Sequence, residues 1–128
     1  RMRVSQSALT KLLEKNAVEL RFSRRRPIAG SPPTRRMLAT NDGMLLNSAA
    51  GKTALNFRPA SGRLKFNPTQ KGLVLTWDIF MQDYRLVPAE SVDVVSVIPT
   101  TPPEEFWKYF SEVLSRMSST DKEQFMDK

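Results

Sequence analysis

Val18-Glu19-Leu20-Arg21-Phe22 places Val18, Leu20 and Phe22 on one side of an extended chain and Glu19 and Arg21 on the other. Alternation with period 2 is the pattern of a strand with one face buried and one in water. Arg24-Arg25-Arg26-Pro27 ends it, and Pro27 to Thr34, with three prolines and a glycine, reads as an exposed, extended loop. Thr34 to Thr40 is the returning strand, closed by the turn signal Asn41-Asp42-Gly43. The two strands are expected to form a hairpin with a basic tip.

The same alternation recurs downstream. Met44 to Ala50 reads as a helical turn ended by Gly51. Lys52 to Arg58 reads as a strand with Thr53, Leu55 and Phe57 on one face and Lys52, Asn56 and Arg58 on the other. Pro59 to Gly62 is a turn, and Arg63-Leu64-Lys65-Phe66 repeats the pattern before Asn67-Pro68 breaks it. Leu73 to Phe80 is the most hydrophobic strand candidate, followed by strands at Tyr84 to Val87 and Val92 to Ile98. Six or seven short strands with brief connections predict a small, mainly β (α+β) barrel over residues 18–99.

Helices are expected at both ends. In the span 1–17, Ser5 or Ser7 caps a helix running to Asn16, a residue suited to a left-handed C-cap, with Leu9, Leu12 and Leu13 as its apolar stripe. In the span 100–128, Thr101-Pro102-Pro103-Glu104 has the form of a capping box with proline at the first turn. Phe106, Phe110, Val113 and Met117 then share a face, with Trp107 and Leu114 beside it. Thr120-Asp121-Lys122-Glu123 reads as a second capping box.

The strand Val18 to Phe22, Arg35-Arg36-Met37-Leu38-Ala39-Thr40-Asn41, Leu75-Thr76-Trp77-Asp78-Ile79, Tyr84-Arg85-Leu86-Val87 and Val92 to Val97 together resemble the Sm-like or SH3-like β-barrel proteins common in bacteriophages and related to the WYL-domain superfamily. That resemblance implies a small barrel of phage origin with nucleic-acid or regulatory binding. It names no ligand, because such folds host many functions.

Composition narrows the chemistry. The 128 residues contain no Cys and no His, which excludes disulfides, the usual zinc sites, catalytic thiols and imidazole acid-base catalysis. Gly51-Lys52-Thr53 has the ending of a phosphate-binding P-loop, but Leu46 stands where the loop needs its first glycine. Asp78, Asp83, Glu90 and Asp93 match no cation-ligand template and are read as solvating the non-binding side. The protein is expected to be no enzyme and to carry no cofactor and no metal. Met2 is read as the native start, leaving Arg1 outside functional arguments. With neither a signal-peptide core nor a membrane-length apolar run, a cytoplasmic protein is expected.

Charge points to a partner. The net charge is +7 and the pI about 10.1, but residues 1–72 hold 15 Lys/Arg against 3 Asp/Glu, a balance of +12, and residues 73–128 hold 5 against 10, a balance of −5. A basic half of this kind suits a polyanion. Arg21, Lys52, Arg58, Arg63 and Lys65 fall on outward strand positions, Arg24, Arg25 and Arg26 on the loop, and Arg35 and Arg36 on the returning strand. These ten residues are the expected nucleic-acid-binding set, gripping phosphate through the guanidinium fork and favouring double-stranded DNA over RNA. The modulation of phage or host DNA transactions such as transcription is the expected role. The competing expectation is a protein-interaction module that redirects a host enzyme such as RNA polymerase. There Phe106, Trp107 and Phe110 would meet a host protein or a second copy of the chain, although a helix that simply covers one barrel opening explains the same residues.

Overall fold

The computed structural model describes residues 2–23, 29–30, 33–59 and 67–126. Its centre is one antiparallel sheet of β1 (Asn16–Ser23), β2 (Thr34–Thr40), β3 (Leu73–Asp78), β4 (Asp83–Pro88) and β5 (Asp93–Pro99), in the order β4-β3-β2-β1-β5. Val18 stands between Ala39 of β2 and Val97 of β5, which makes β1 the middle of the ladder it shares with both. A single 3-10 turn, Ala89–Ser91, carries the chain from β4 to β5. These two strands are the sheet's edges and do not pair, so among the described residues the sheet is not the closed barrel that strand counting predicts. The fold is α+β.

Alternation explains the layers. Val18, Leu20, Met37, Val74 and Val87 turn to one face, where Leu9 and Leu13 of α1 (Gln6–Lys15) complete a core. Ala17, Leu38 and Trp77 turn to the other face, beneath α2 (Gly43–Asn47), α3 (Ala49–Ala54), α4 (Pro103–Arg116) and α5 (Ser119–Phe125). Phe106, Phe110 and Phe125 are buried there, each such side chain contributing about 1.5–3 kcal/mol. The spans 1–17, 18–99 and 100–128 therefore share two cores. No helix among the described residues is long and apolar enough to cross a membrane.

Local chemistry sets the helix ends. Ser5 Oγ accepts from the Ala8 amide at 3.2 Å and starts α1. Asn16 does not take the expected left-handed conformation: it is extended, with φ of −144°, and begins β1. Its side-chain amide donates to the Leu12 carbonyl at 2.9 Å, satisfying a helix-end acceptor without a backbone reversal. The expected Thr101 capping box does not form either, since Pro102 is the N-cap of α4 and no side chain caps it. Glu104 and Glu105 supply the favourable charge at that end. The second box forms two residues earlier than expected, between Ser118 and Asp121.

Lys52 to Arg58 is not a strand. Asp42 accepts from the Met44 and Leu45 amides to open α2, and Ser48 Oγ accepts from the Gly51 amide at 2.9 Å to open α3. Lys52 is thus helical, and Asn56 to Pro59 follow without regular structure. Two adjacent caps outweigh a short alternating run. Gly51, expected to end a helix, lies inside α3, where a Cβ would sit 2.1 Å from the Leu45 carbonyl oxygen. The expected strand at Arg63 to Phe66 lies outside the described residues.

Asp42 joins distant parts of the chain. Its carboxylate contacts the Thr100 hydroxyl, which also lies 2.9 Å from the Lys15 carbonyl oxygen. The end of α1, the start of α2 and the approach to α4 meet at this buried cluster.

Candidate functional site

The ten basic residues do not assemble into one outward sheet face. Arg24, Arg25, Arg26, Arg63 and Lys65 lie outside the described residues. Arg35 is the clearest correction: it is buried, and its Nη2 donates to Asp78 Oδ2 at 2.6 Å. It shares the inward phase of β2 with Met37 and Ala39, as Asp78 does with Val74 and Thr76 on β3, so it cannot reach a phosphate outside. Asp78, expected to solvate the surface, is instead sealed in the interior.

Arg21 and Arg36 stand directly opposite each other across β1 and β2. Both are half-buried. Arg36 is engaged by Glu19, with Nε and Nη2 each 3.0 Å from Oε2, and its guanidinium lies 4.6 Å from the Phe125 ring centroid. Among the described residues no carboxylate is within ion-pair distance of Arg21, although Asp93 of β5 faces it in register. Ser23 pairs with Thr34 two steps beyond this pair, and the chain continues from Ser23 into Arg24.

Lys52 is exposed on α3, and Arg58 is exposed beyond it. Arg58 lies 3.9 Å from Asp83 and 5.6 Å from the Trp77 ring centroid. Of the three carboxylates in residues 1–72, Glu19 is held by Arg36 and Asp42 by its caps and Thr100, which leaves Glu14 exposed. Three acidic residues of the second half sit in separate ion pairs: Asp78 with Arg35, Asp83 with Arg58 and Arg85, and Asp93 with Arg3.

A second feature was invisible as a site in the sequence. Phe22, Arg35, Met37, Leu73, Arg85, Val87, Pro88, Ser91 and Val92 line a cavity of about 570 Å³ on the α1 side of the sheet. The Arg35 guanidinium lies 5.6 Å from the Phe22 ring centroid, and its Nε is buried with no hydrogen-bond partner. Burial pushes the Asp78 carboxyl above its ordinary pKa, against the pull of the Arg35 charge, the Met81 amide and, more weakly, Arg85. The signal that could have found this site is the inward phase shared by two opposite charges on β2 and β3.

The aromatic residues expected at a partner interface belong mostly to the core. Phe106 and Phe110 stack with ring centroids 5.9 Å apart and are buried, and Trp107 is half-buried with its ring edge-on to both. Tyr109 and Leu114 are the large apolar residues that α4 exposes. Trp77 is fully buried between Phe57 and Tyr84, with edge-to-face contacts at 5.1 and 5.0 Å. Phe66 lies outside the described residues. No protein-family model, curated protein or solved structure matches the chain.

Proposed function

We propose that the chain is a non-enzymatic nucleic-acid-binding module that grips phosphates at the end of the β1–β2 hairpin where Ser23 pairs with Thr34. The observation that carries this reading is the opposition of Arg21 and Arg36 at the last rungs before the segment bearing Arg24, Arg25 and Arg26. Like charges directly across a ladder cost stability. Here Glu19 offsets only one of the two, and an incoming phosphate offsets the rest. The basic half keeps little negative charge of its own, since two of its three carboxylates are already engaged.

Duplex DNA is favoured over single strands. The only exposed large aromatic among the described residues is Tyr109, on a helix carrying exposed Glu105 and Glu112, and stacking platforms need aromatics within a basic groove. The order β4-β3-β2-β1-β5 with a one-turn link from β4 to β5 supports reading the sheet as an incompletely closed Sm-like or SH3-like barrel. The resemblance extends the proposal to phage or host DNA transactions such as transcription, in the cytosol of a bacterial host. The rival module that redirects a host enzyme loses Phe106 and Phe110 to the core and keeps the half-buried Trp107, with exposed Tyr109 and Leu114 on the same helix as further contacts.

Titration of fluorescent duplexes of unrelated sequence at several salt concentrations tests the reading. With about five phosphates neutralised, log affinity falls against log salt with a slope of about −4 to −5. Replacing Arg24, Arg25 and Arg26 by Ala flattens that slope by up to about 3 and weakens all sequences equally. Absence of binding at low salt, or binding indifferent to salt, would overturn it.

A further inference from the structure

We propose that the cavity between β2, β4 and the β4–β5 turn is a binding site for a small organic acid, a carboxylate carried on an apolar body. Its walls are chiefly apolar, formed by Phe22, Met37, Leu73, Val87 and Val92, and its volume of about 570 Å³ suits a small molecule. Its polar equipment is lopsided. Two guanidiniums, Arg35 and Arg85, line it, and the nearest buried carboxylate, Asp78, takes one Nη of Arg35 and leaves the Arg35 Nε unpartnered. A buried N–H without an acceptor is costly, and a charged one more so. A carboxylate that reaches the Arg35 guanidinium from the cavity supplies an acceptor for that Nε, while its apolar body covers Phe22 and Val87.

Arg85 is held on its other side by Asp83 at 3.7 Å and by the Tyr84 carbonyl at 3.0 Å, so its charge is positioned at the cavity rather than swinging in solvent. What the site offers is binding, through the two guanidiniums and the apolar wall. A free acid and the C-terminal carboxylate of a peptide present the same group.

Methyl NMR of Met37, Val87 and Val92, with phenylacetate, 3-phenylpropionate, hexanoate and the peptide Gly-Gly-Phe as probes, tests the proposal. Saturable shifts are expected from at least one acid or from the peptide, with acetate and neutral phenylacetamide at least about tenfold weaker. Tighter binding of the peptide than of the acids assigns the site to a chain terminus, and the reverse to a free acid. Ser91→Trp, which plugs the rim from an exposed position, should abolish the shifts. So should Arg35→Met with Asp78→Asn, which removes both charges together and strands neither. No saturable shift from any acid or the peptide, equal binding of phenylacetamide, or undiminished binding to Ser91→Trp would overturn it.

Discussion

Arg35 and Asp78 meet at 2.6 Å inside the sheet, the guanidinium 4 % exposed and the carboxylate 0 %. Removing one member of such a pair leaves the other charged and dry. Arg35→Met should therefore lower unfolding stability by about 3–5 kcal/mol, and adding Asp78→Asn should recover most of it. Urea denaturation of the two variants measures the difference.

Asp78 also has a pH signature opposite to that of most carboxylates. Its pKa is raised in the folded state, chiefly by burial, so the native protein holds this proton to a higher pH than the unfolded chain does. Its contribution is full below the unfolded value of about 4 and is lost as pH rises through the folded value. Relative to Asp78→Asn, which has no titrating group at this position, the wild type should lose stability as pH climbs through that window. Parallel stability profiles for the two proteins would contradict it.

Gly51→Ala is expected to destabilise, although alanine is the better helix former by about 1 kcal/mol. A Cβ at this position meets the Leu45 oxygen at 2.1 Å and the Leu46 oxygen at 2.7 Å, both backbone atoms that cannot swing away. α2 and α3 must separate, at a cost of about 1–3 kcal/mol. Thermal unfolding followed by circular dichroism gives the sign.

Phe106 and Tyr109 stand three residues apart on α4, one 2 % and the other 41 % exposed. Phe106→Ala should cost about 3–5 kcal/mol, whereas Tyr109→Ala should stay within about 0.5 kcal/mol. Equal losses would show that α4 packs by a different face.

Legibility followed side-chain period more than residue type. Thr34 to Thr40 was readable as a strand because Asn41-Asp42-Gly43 stops it, and it spans those residues. The helices after Pro102 were readable from Phe106 and Phe110. Arg35 was misread because arginine suggests water, whereas its phase with Met37 and Ala39 pointed inward. Asp78, 43 residues away, settles the matter, and no local pattern announces a partner that distant. Lys52 was misread because the seven-residue run from Lys52 to Arg58 fits a strand as well as an amphipathic turn, and only the Ser48 cap decides between them. Closure of the sheet was illegible, since it depends on how far β4 and β5 curl toward each other.

The meeting of Asp42 and Thr100 bears on how the molecule comes apart. A terminal pair of helices ordinarily breathes on its own, exchanging amide hydrogens well before the rest. Here the hydroxyl that precedes α4 is bound to the residue that starts α2, and through the Lys15 carbonyl to the end of α1. Lifting the tail also releases both of those ends. The slowest amides of α4 and those of β1 should consequently exchange as one cooperative unit, with a common dependence on denaturant.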